Sequence, residues 1–164
     1  MFSDEKLEEV KSVLLVAPLD TNIYIGCDSE RKRIRGVWYA TYNSVVVIQM
    51  KDENGRSCGC RVFTHNEKLQ DYDQNKSRPY MRMMNEAYKA TELYQQLEDE
   101  LFDFEVEIHL DINKDARHGS NVAHNAAVGY AKGVTGRVVM TKPEAWAASH
   151  VADHGVRGKF IEVA

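Results

Sequence analysis

The spacing of apolar residues changes period several times along this chain. Leu7, Val10, Leu14 and Leu15 recur at helical spacing behind Ser3, a residue suited to an N-cap, with Asp4 and Glu5 placed for the helix dipole and Pro18 as the stop. Residues 22 to 28 then read as a short buried strand. After a charged stretch from Glu30 to Arg35 comes a long β-rich run, Val37 to Met50, with a bend expected at Asn43-Ser44. Asn54-Gly55 is a hairpin signal, and Cys58 to Thr64 is the returning strand. Gly59 inside it predicts a bulge or a close backbone contact. A polar loop from Asn66 to Ser77 leads to the longest helix, Pro79 to Leu101. Next follow a strand at 106 to 111, a helix from Ser120 to Lys132 and a strand from Arg137 to Thr141. A last helix begins near Pro143, a residue favoured in a first turn, and ends at Gly155. A hairpin-rich half followed by alternating units implies a mixed sheet with parallel strands in its second part.

Two of the strand-like runs end in an acid: Ile23-Tyr24-Ile25-Gly26-Cys27-Asp28 and Val106-Glu107-Ile108-His109-Leu110-Asp111. A carboxylate at the end of a buried strand is costly to desolvate without a compensating partner. Two of them suggest carboxylates converging on a shared cation. Glu86 is a further acid in an apolar setting. At helical geometry Met83, Ala90, Leu93 and Leu97 all fall within about 60° of it. It needs a partner there, either a cation or Arg82 or Lys89 at the edge of the packed face. Asp153 shares a face of the last helix with Trp146 and His150, and an acid near a helix C-terminus is unfavourable unless something offsets it. Ser149, His150 and His154 are ordinary partners for it.

Composition narrows the classes. With 43% hydrophobic and 28% charged residues, the 164-residue chain reads as one globular domain. A formal net charge of -4 excludes a polycationic nucleic-acid binder, so phosphate affinity would require a local patch or bound metal. The segment MFSDEKLEEV lacks the pattern of a secretory signal, and no apolar run reaches membrane-spanning length. Three cysteines, with Cys58 and Cys60 two apart, do not make a disulfide framework. A reducing, cytoplasmic setting without membrane attachment is expected.

The order of elements, together with IGCDS around Asp28, MMNEAYK around Glu86, HLDINKD followed by SN around Asp111, and KPEAWAASHVAD ending at Asp153, resembles the ribonuclease H-like superfamily. Within it the chain is most similar to the YkuK-like family, over residues 20 to 155. The resemblance implies a single α/β domain over 1–164, with residues 1–18 as an N-terminal helix and 20–155 as the core. It also implies a five-stranded mixed sheet, antiparallel hairpin strands followed by parallel ones, with flanking helices. Asp28, Glu86, Asp111 and Asp153 match the superfamily's acids in topological order and are implied as catalytic and metal-binding residues. Mg²⁺ or Mn²⁺ suits such oxygen ligands. Two ions about 4 Å apart would activate water and stabilise the leaving oxygen of a phosphodiester. Without metal the four acids would repel one another and hold raised pKa values. The implied activity is hydrolysis of RNA, RNA–DNA hybrid or DNA. The alternative is a catalytically silent nucleic-acid-binding or protein-interaction module.

Arg31, Lys32, Arg33 and Arg35 follow Asp28, while Arg78 and Arg82 flank the start of the helix bearing Glu86. They form either a substrate-binding patch for phosphates or an ordinary exposed charged turn. His118 and His150 are possible auxiliary groups, for proton transfer or outer support. Asp111-x-Asn113-x-Asp115 mimics the start of a calcium loop, but Ala116 and Val122 stand where glycine and glutamate are required. Cys58, Cys60 and His65 lack a fourth zinc ligand, although Cys27 could approach them across the sheet; ordinary thiols are the simpler reading.

Overall fold

The computed structural model describes residues 1–74 and 77–152. Its elements are α1 (Asp4–Val16), β1 (Asn22–Ile34), β2 (Val37–Lys51), β3 (Ser57–Gln70), α2 (Tyr80–Gln96), β4 (Glu105–Asn113), a 3-10 turn (Gly119–Ala123), α3 (His124–Thr135), β5 (Val138–Lys142) and a π-helical segment (Ala147–Ala152). The five strands form one sheet in the order β3-β2-β1-β4-β5. β1, β2 and β3 pair antiparallel; β1, β4 and β5 pair parallel. This is the mixed sheet with flanking helices that the order of elements predicts.

The two sheet faces are covered differently. Ile23, Ile25 and Cys27 of β1 join Ile108 and Leu110 of β4 in a core completed by α1, α2 and α3, through residues such as Val10, Leu14, Ala87, Leu93 and Ala127. The opposite face carries Tyr24 and Gly26. Here Trp146 packs against Tyr24 at 4.7 Å and against the buried His109 at 5.7 Å between ring centroids. His109 Nδ1 accepts a hydrogen bond from Ala147 N at 3.1 Å, so its proton sits on Nε2, facing Glu107 Oε2 at 3.0 Å. Burial lowers the His109 pKa, and the Glu107 carboxylate only partly offsets this. Gly26 lets the last segment approach: a Cβ there would stand 3.0 Å from Ala148 N and 3.2 Å from His109 O.

Several boundaries differ from the sequence reading. The charged stretch from Glu30 to Arg35 is largely strand, because β1 stays paired with β2 as far as Ile34–Val37. Arg31 and Arg33 stack over Trp38 at 4.4 and 5.9 Å, which makes a charged strand stable at the sheet edge. The turn falls at Arg35 and Gly36, whose φ values of 48° and 87° fit a tight hairpin. Asn43 and Ser44 form no bend; they pair in register with Asp28 and Cys27. β3 runs on to Gln70. The expected irregularity at Gly59 is present, since Met50 pairs with Gly59 and Lys51 with Ser57, leaving Cys58 as the extra residue.

α2 ends at Gln96, although Leu97 and Leu101 remain fully buried; their apolar spacing continues through a packed turn. The helix expected from Ser120 opens as a 3-10 turn and becomes α-helical only at His124. Pro143 and Glu144 form a turn, and helical structure starts at Trp146. From Ala147 it is π-helical, not α-helical, where Ala148 lies against Gly26. Gly155, expected to end this helix, lies outside the described residues.

Gly26→Ala should destabilise the protein by about 1–3 kcal/mol in urea unfolding, because the added methyl meets backbone on two sides. His109 gives a pH signature. Its folded pKa is depressed, so the stability it contributes is present above the ordinary value of 6.5 and is lost as pH falls below it. Unfolding free energy measured from pH 7.5 to 5 should fall less steeply in His109→Gln than in wild type.

Candidate functional site

The parallel pairing of β1 with β4 extends to Cys27–Leu110. Asp28 and Asp111 are the next residue on each strand, and side-chain alternation puts both on the face of Gly26 and His109. Adjacent strands lie about 4.8 Å apart, so these carboxylates are forced to be neighbours. Beyond this point β1 continues with β2, while the β4–β5 register shifts between Leu110 and Asn113. The separating strands open a cleft of about 550 Å³, lined by Asp28, Glu30, Arg82, Asp111 and Lys142, with Ser120 and Ser149 at its sides. Ligand sites in open α/β sheets lie at such carboxyl ends of strands.

The acids are held in distinct ways. Asp28 Oδ1 accepts a hydrogen bond from Ser29 N at 2.8 Å. The Asp111 side chain is 15% exposed, and its Oδ1 lies 3.0 Å from Lys142 Nζ. That ion pair is close but poorly angled, so the buried Oδ1 has no hydrogen bond among the described residues. Glu86 is fully buried, as its apolar stripe predicts. Its Oε1 accepts from Ser29 Oγ at 2.5 Å, and Arg82 Nη1 donates to the same Oγ at 3.0 Å and to Ser29 O at 2.9 Å. Glu86 therefore stands one residue behind the cleft wall. Its Oε2 is buried without a hydrogen bond among the described residues. Burial, followed by repulsion from Asp28, pushes the Glu86 pKa well up; the Ser29 hydrogen bond and Arg82 act in the other direction. Neither edge partner expected for it forms an ion pair with Glu86, because Lys89 pairs with Glu67 and Arg82 turns to Ser29.

Asp153 lies outside the described residues. Among those described, no three His, Cys, Asp or Glu side chains converge into a ready-made metal site. The donor chemistry nevertheless fits a hard divalent cation. Asp28 and Asp111 are adjacent carboxylates, and two buried oxygens, Glu86 Oε2 and Asp111 Oδ1, have no hydrogen bond among the described residues.

The basic residues divide. Arg31 forms an ion pair with Asp71 and donates to Asp73 O, both at 2.5 Å. Asp73 in turn caps α2, accepting from Met81 N at 3.0 Å and Arg82 N at 2.8 Å. Arg31 is thus committed to anchoring the loop that starts the Glu86 helix. Arg33 stacks on Trp38 and donates to Gly36 O. Strand alternation sends both to the sheet face opposite Asp28, while Lys32, exposed, shares the face of Asp28. Arg78 is exposed before α2, and Arg82 reaches the cleft. His118 is exposed ahead of the 3-10 turn, and His150 Nδ1 lies 3.0 Å from Ser149 Oγ.

The other sequence patterns resolve simply. Asp115 forms a bidentate pair with Arg117, and Asn113 Oδ1 accepts from Asp115 N, so the calcium-loop mimic is an Asx turn. Cys27 is buried, whereas Cys58 and Cys60 are exposed on β3. In register, Cys27 aligns with Ser44 and His65, five positions from Cys60, so the approach considered across the sheet does not occur.

Sequence reasoning missed two cleft residues, Lys142 and Glu30, and one buried beside Asp28, Asn43. Lys142 pairs with Asp111, although nothing in a single strand-ending lysine points there. Glu30, two residues beyond Asp28, shares its face, and that i, i+2 spacing was the available signal. Asn43 pairs with Asp28 across the strands and is fully buried, with neither side-chain amide atom hydrogen-bonded among the described residues. A polar residue inside the apolar run of β2 was its only sign.

Glu86→Gln supplies a test of the buried acid. Because its folded pKa is raised, wild-type stability should decline as pH rises above the ordinary value of 4.5 in metal-free buffer. Glu86→Gln should lose that decline and be more stable than wild type above neutral pH by about 1–3 kcal/mol, read by denaturant unfolding.

A family model described as ribonuclease H-like matches residues 7–157, nearly the whole chain, and it points to nuclease-like or nucleic-acid-related function. No curated protein matches the chain, and no solved structure does. No helix among the described residues is long and apolar enough to cross a membrane. From the matched span and the five-stranded mixed sheet, the chain belongs to the ribonuclease H-like family.

Proposed function

We propose that this protein is a divalent-metal-dependent nuclease that hydrolyses phosphodiester bonds in RNA, RNA–DNA hybrid or DNA. The observation that carries the reading is the side-by-side placement of Asp28 and Asp111 at the mouth of a polar cleft, with the buried Glu86 behind them. Like charges so arranged destabilise the fold unless a cation joins them. Asp28 and Asp111 would be the central ligands for Mg²⁺ or Mn²⁺, in a set of two ions completed by Glu86 and Asp153. A bound ion of this kind supplies a nucleophilic water at neutral pH and stabilises charge on the phosphate. Arg82 reaches the cleft and orients a phosphate there, while its contact with Ser29 couples the cleft to Glu86. Lys32 and Arg78 extend the positive surface along the substrate path. The unpaired thiols fit a reducing, cytoplasmic setting.

A second reading has its own support. The Lys142–Asp111 ion pair already neutralises one acid, as in a nucleic-acid-binding module that keeps the fold without catalysis. One digestion panel separates the two. Single-stranded RNA, RNA–DNA hybrid, single-stranded DNA and duplex DNA are incubated with wild type, Asp28→Asn and Asp111→Asn in Mg²⁺ or Mn²⁺. The nuclease reading expects cleavage of at least one substrate, reduced about a hundredfold or more by either substitution. Oligonucleotide binding without cleavage, equal in all three proteins, supports the silent module and sinks the nuclease.

A further inference from the structure

We propose that Lys142 is a built-in counter-ion for Asp111, which holds the place of a divalent cation in the metal-free protein and must yield it when metal binds. This rests on the metal-site reading above and adds a determinant of cation affinity that lies outside the set of acids. Three observations carry it. Lys142 Nζ stands 3.0 Å from Asp111 Oδ1, an oxygen sealed from solvent that makes no hydrogen bond among the described residues. The contact is electrostatic and ill-angled, which suits a pair that can be broken without losing a directional bond.

The backbone also favours this arrangement. The β4–β5 ladder skips from Leu110–Thr141 to Asn113–Lys142, so the irregularity in β4 brings Asp111 beside the last residue of β5. Finally, the Lys142 side chain is 38% exposed and borders the cleft, so it has room to swing into solvent once displaced. The lysine and a divalent cation would compete for one carboxylate face. Lys142 therefore lowers cation affinity while relieving repulsion between Asp28 and Asp111 in the absence of metal. It is a positioning residue, acting through Asp111.

The test is thermal unfolding of the full chain at low ionic strength, titrated with Mn²⁺. Lys142→Met should unfold at a lower temperature than wild type in chelator, yet reach half-maximal stabilisation at about fivefold lower Mn²⁺. Lys142→Arg should stay near wild type. Lys114→Met is the control for a nearby charge, because Lys114 pairs with Glu144 at 3.5 Å and does not touch Asp111. Its Mn²⁺ midpoint should equal that of wild type. Asp111→Asn should lose the response in either background. Should Lys142→Met fail to fold by circular dichroism, Lys142→Gln takes its place.

An unchanged or higher midpoint in the neutral variant, while wild type responds and Asp111→Asn does not, overturns the role of Lys142 and leaves the metal site standing. A fall of equal size in Lys114→Met also overturns it, as a general charge effect. If neither wild type nor the Lys142 variant responds to Mn²⁺, both readings fall together. A response confined to the Lys142 variant supports the counter-ion, with the ammonium as the barrier.

Discussion

The rest of the site depends on the parallel register between β1 and β4. Once Cys27 is paired with Leu110, the next residue on each strand is an aspartate, and both point to the same face. That places two negative charges about one strand spacing apart, at the point where the strands part company. Three polar contacts nearby answer this repulsion. Lys142 reaches Asp111 from β5, and Ser29 donates its backbone N–H to Asp28. The Arg82–Ser29 contact places a positive charge near the buried Glu86.

The same register decides what the flanking elements must be. Gly26, two residues before Asp28, allows the π-helical segment to lie on the sheet almost at contact distance. His109, two residues before Asp111, fixes that segment through Ala147 N, and Tyr24 and Trp146 close the layer around it. On the far side, Asp73 caps α2 at Met81 and Arg82, and Arg31 anchors the loop carrying Asp73. A basic residue three positions after Asp28 thus contributes to the site by placing a helix and is not available to hold a phosphate. Burial and charge are arranged in layers, with exposed cations outside, Asp28 and Asp111 at the cleft, and Glu86 sealed behind Ser29.

The chain belongs to the ribonuclease H-like family, and its mixed sheet sets two acids side by side where the β1–β4 pairing ends. The acids in and behind the cleft are compensated in different ways. Among the described residues Glu86 keeps one oxygen without a hydrogen bond, Asn43 buries an amide beside Asp28, and Lys142 occupies the flank of Asp111. Buried polar groups left unsatisfied are costly, so those of Glu86, Asn43 and Asp111 cost the fold stability where the β1–β4 pairing ends. Such a concession is characteristic of sites that bind something.

The sequence by itself determined the mixed sheet, because period-2 and period-3.6 apolar patterns followed one another with clear turn signals at Asn54-Gly55 and Pro18. It also determined the burial of Glu86, since helical phase ties that residue to Met83, Ala90 and Leu93. It marked Asp28 and Asp111 as acids closing buried apolar runs, although β1 itself continues to Ile34. Only the tertiary structure decided that these two are adjacent, because register between strands 83 residues apart is set by core packing and not by local pattern. The charged stretch after Asp28 misled for a related reason: local composition suggests a loop, whereas backbone pairing with β2 and stacking on Trp38 make it a strand. The pairing of Lys142 and the loop-anchoring role of Arg31 were invisible in the chain because each acts on a partner brought near only by folding. Periodicity reports which face of an element is buried; it does not report what that face meets.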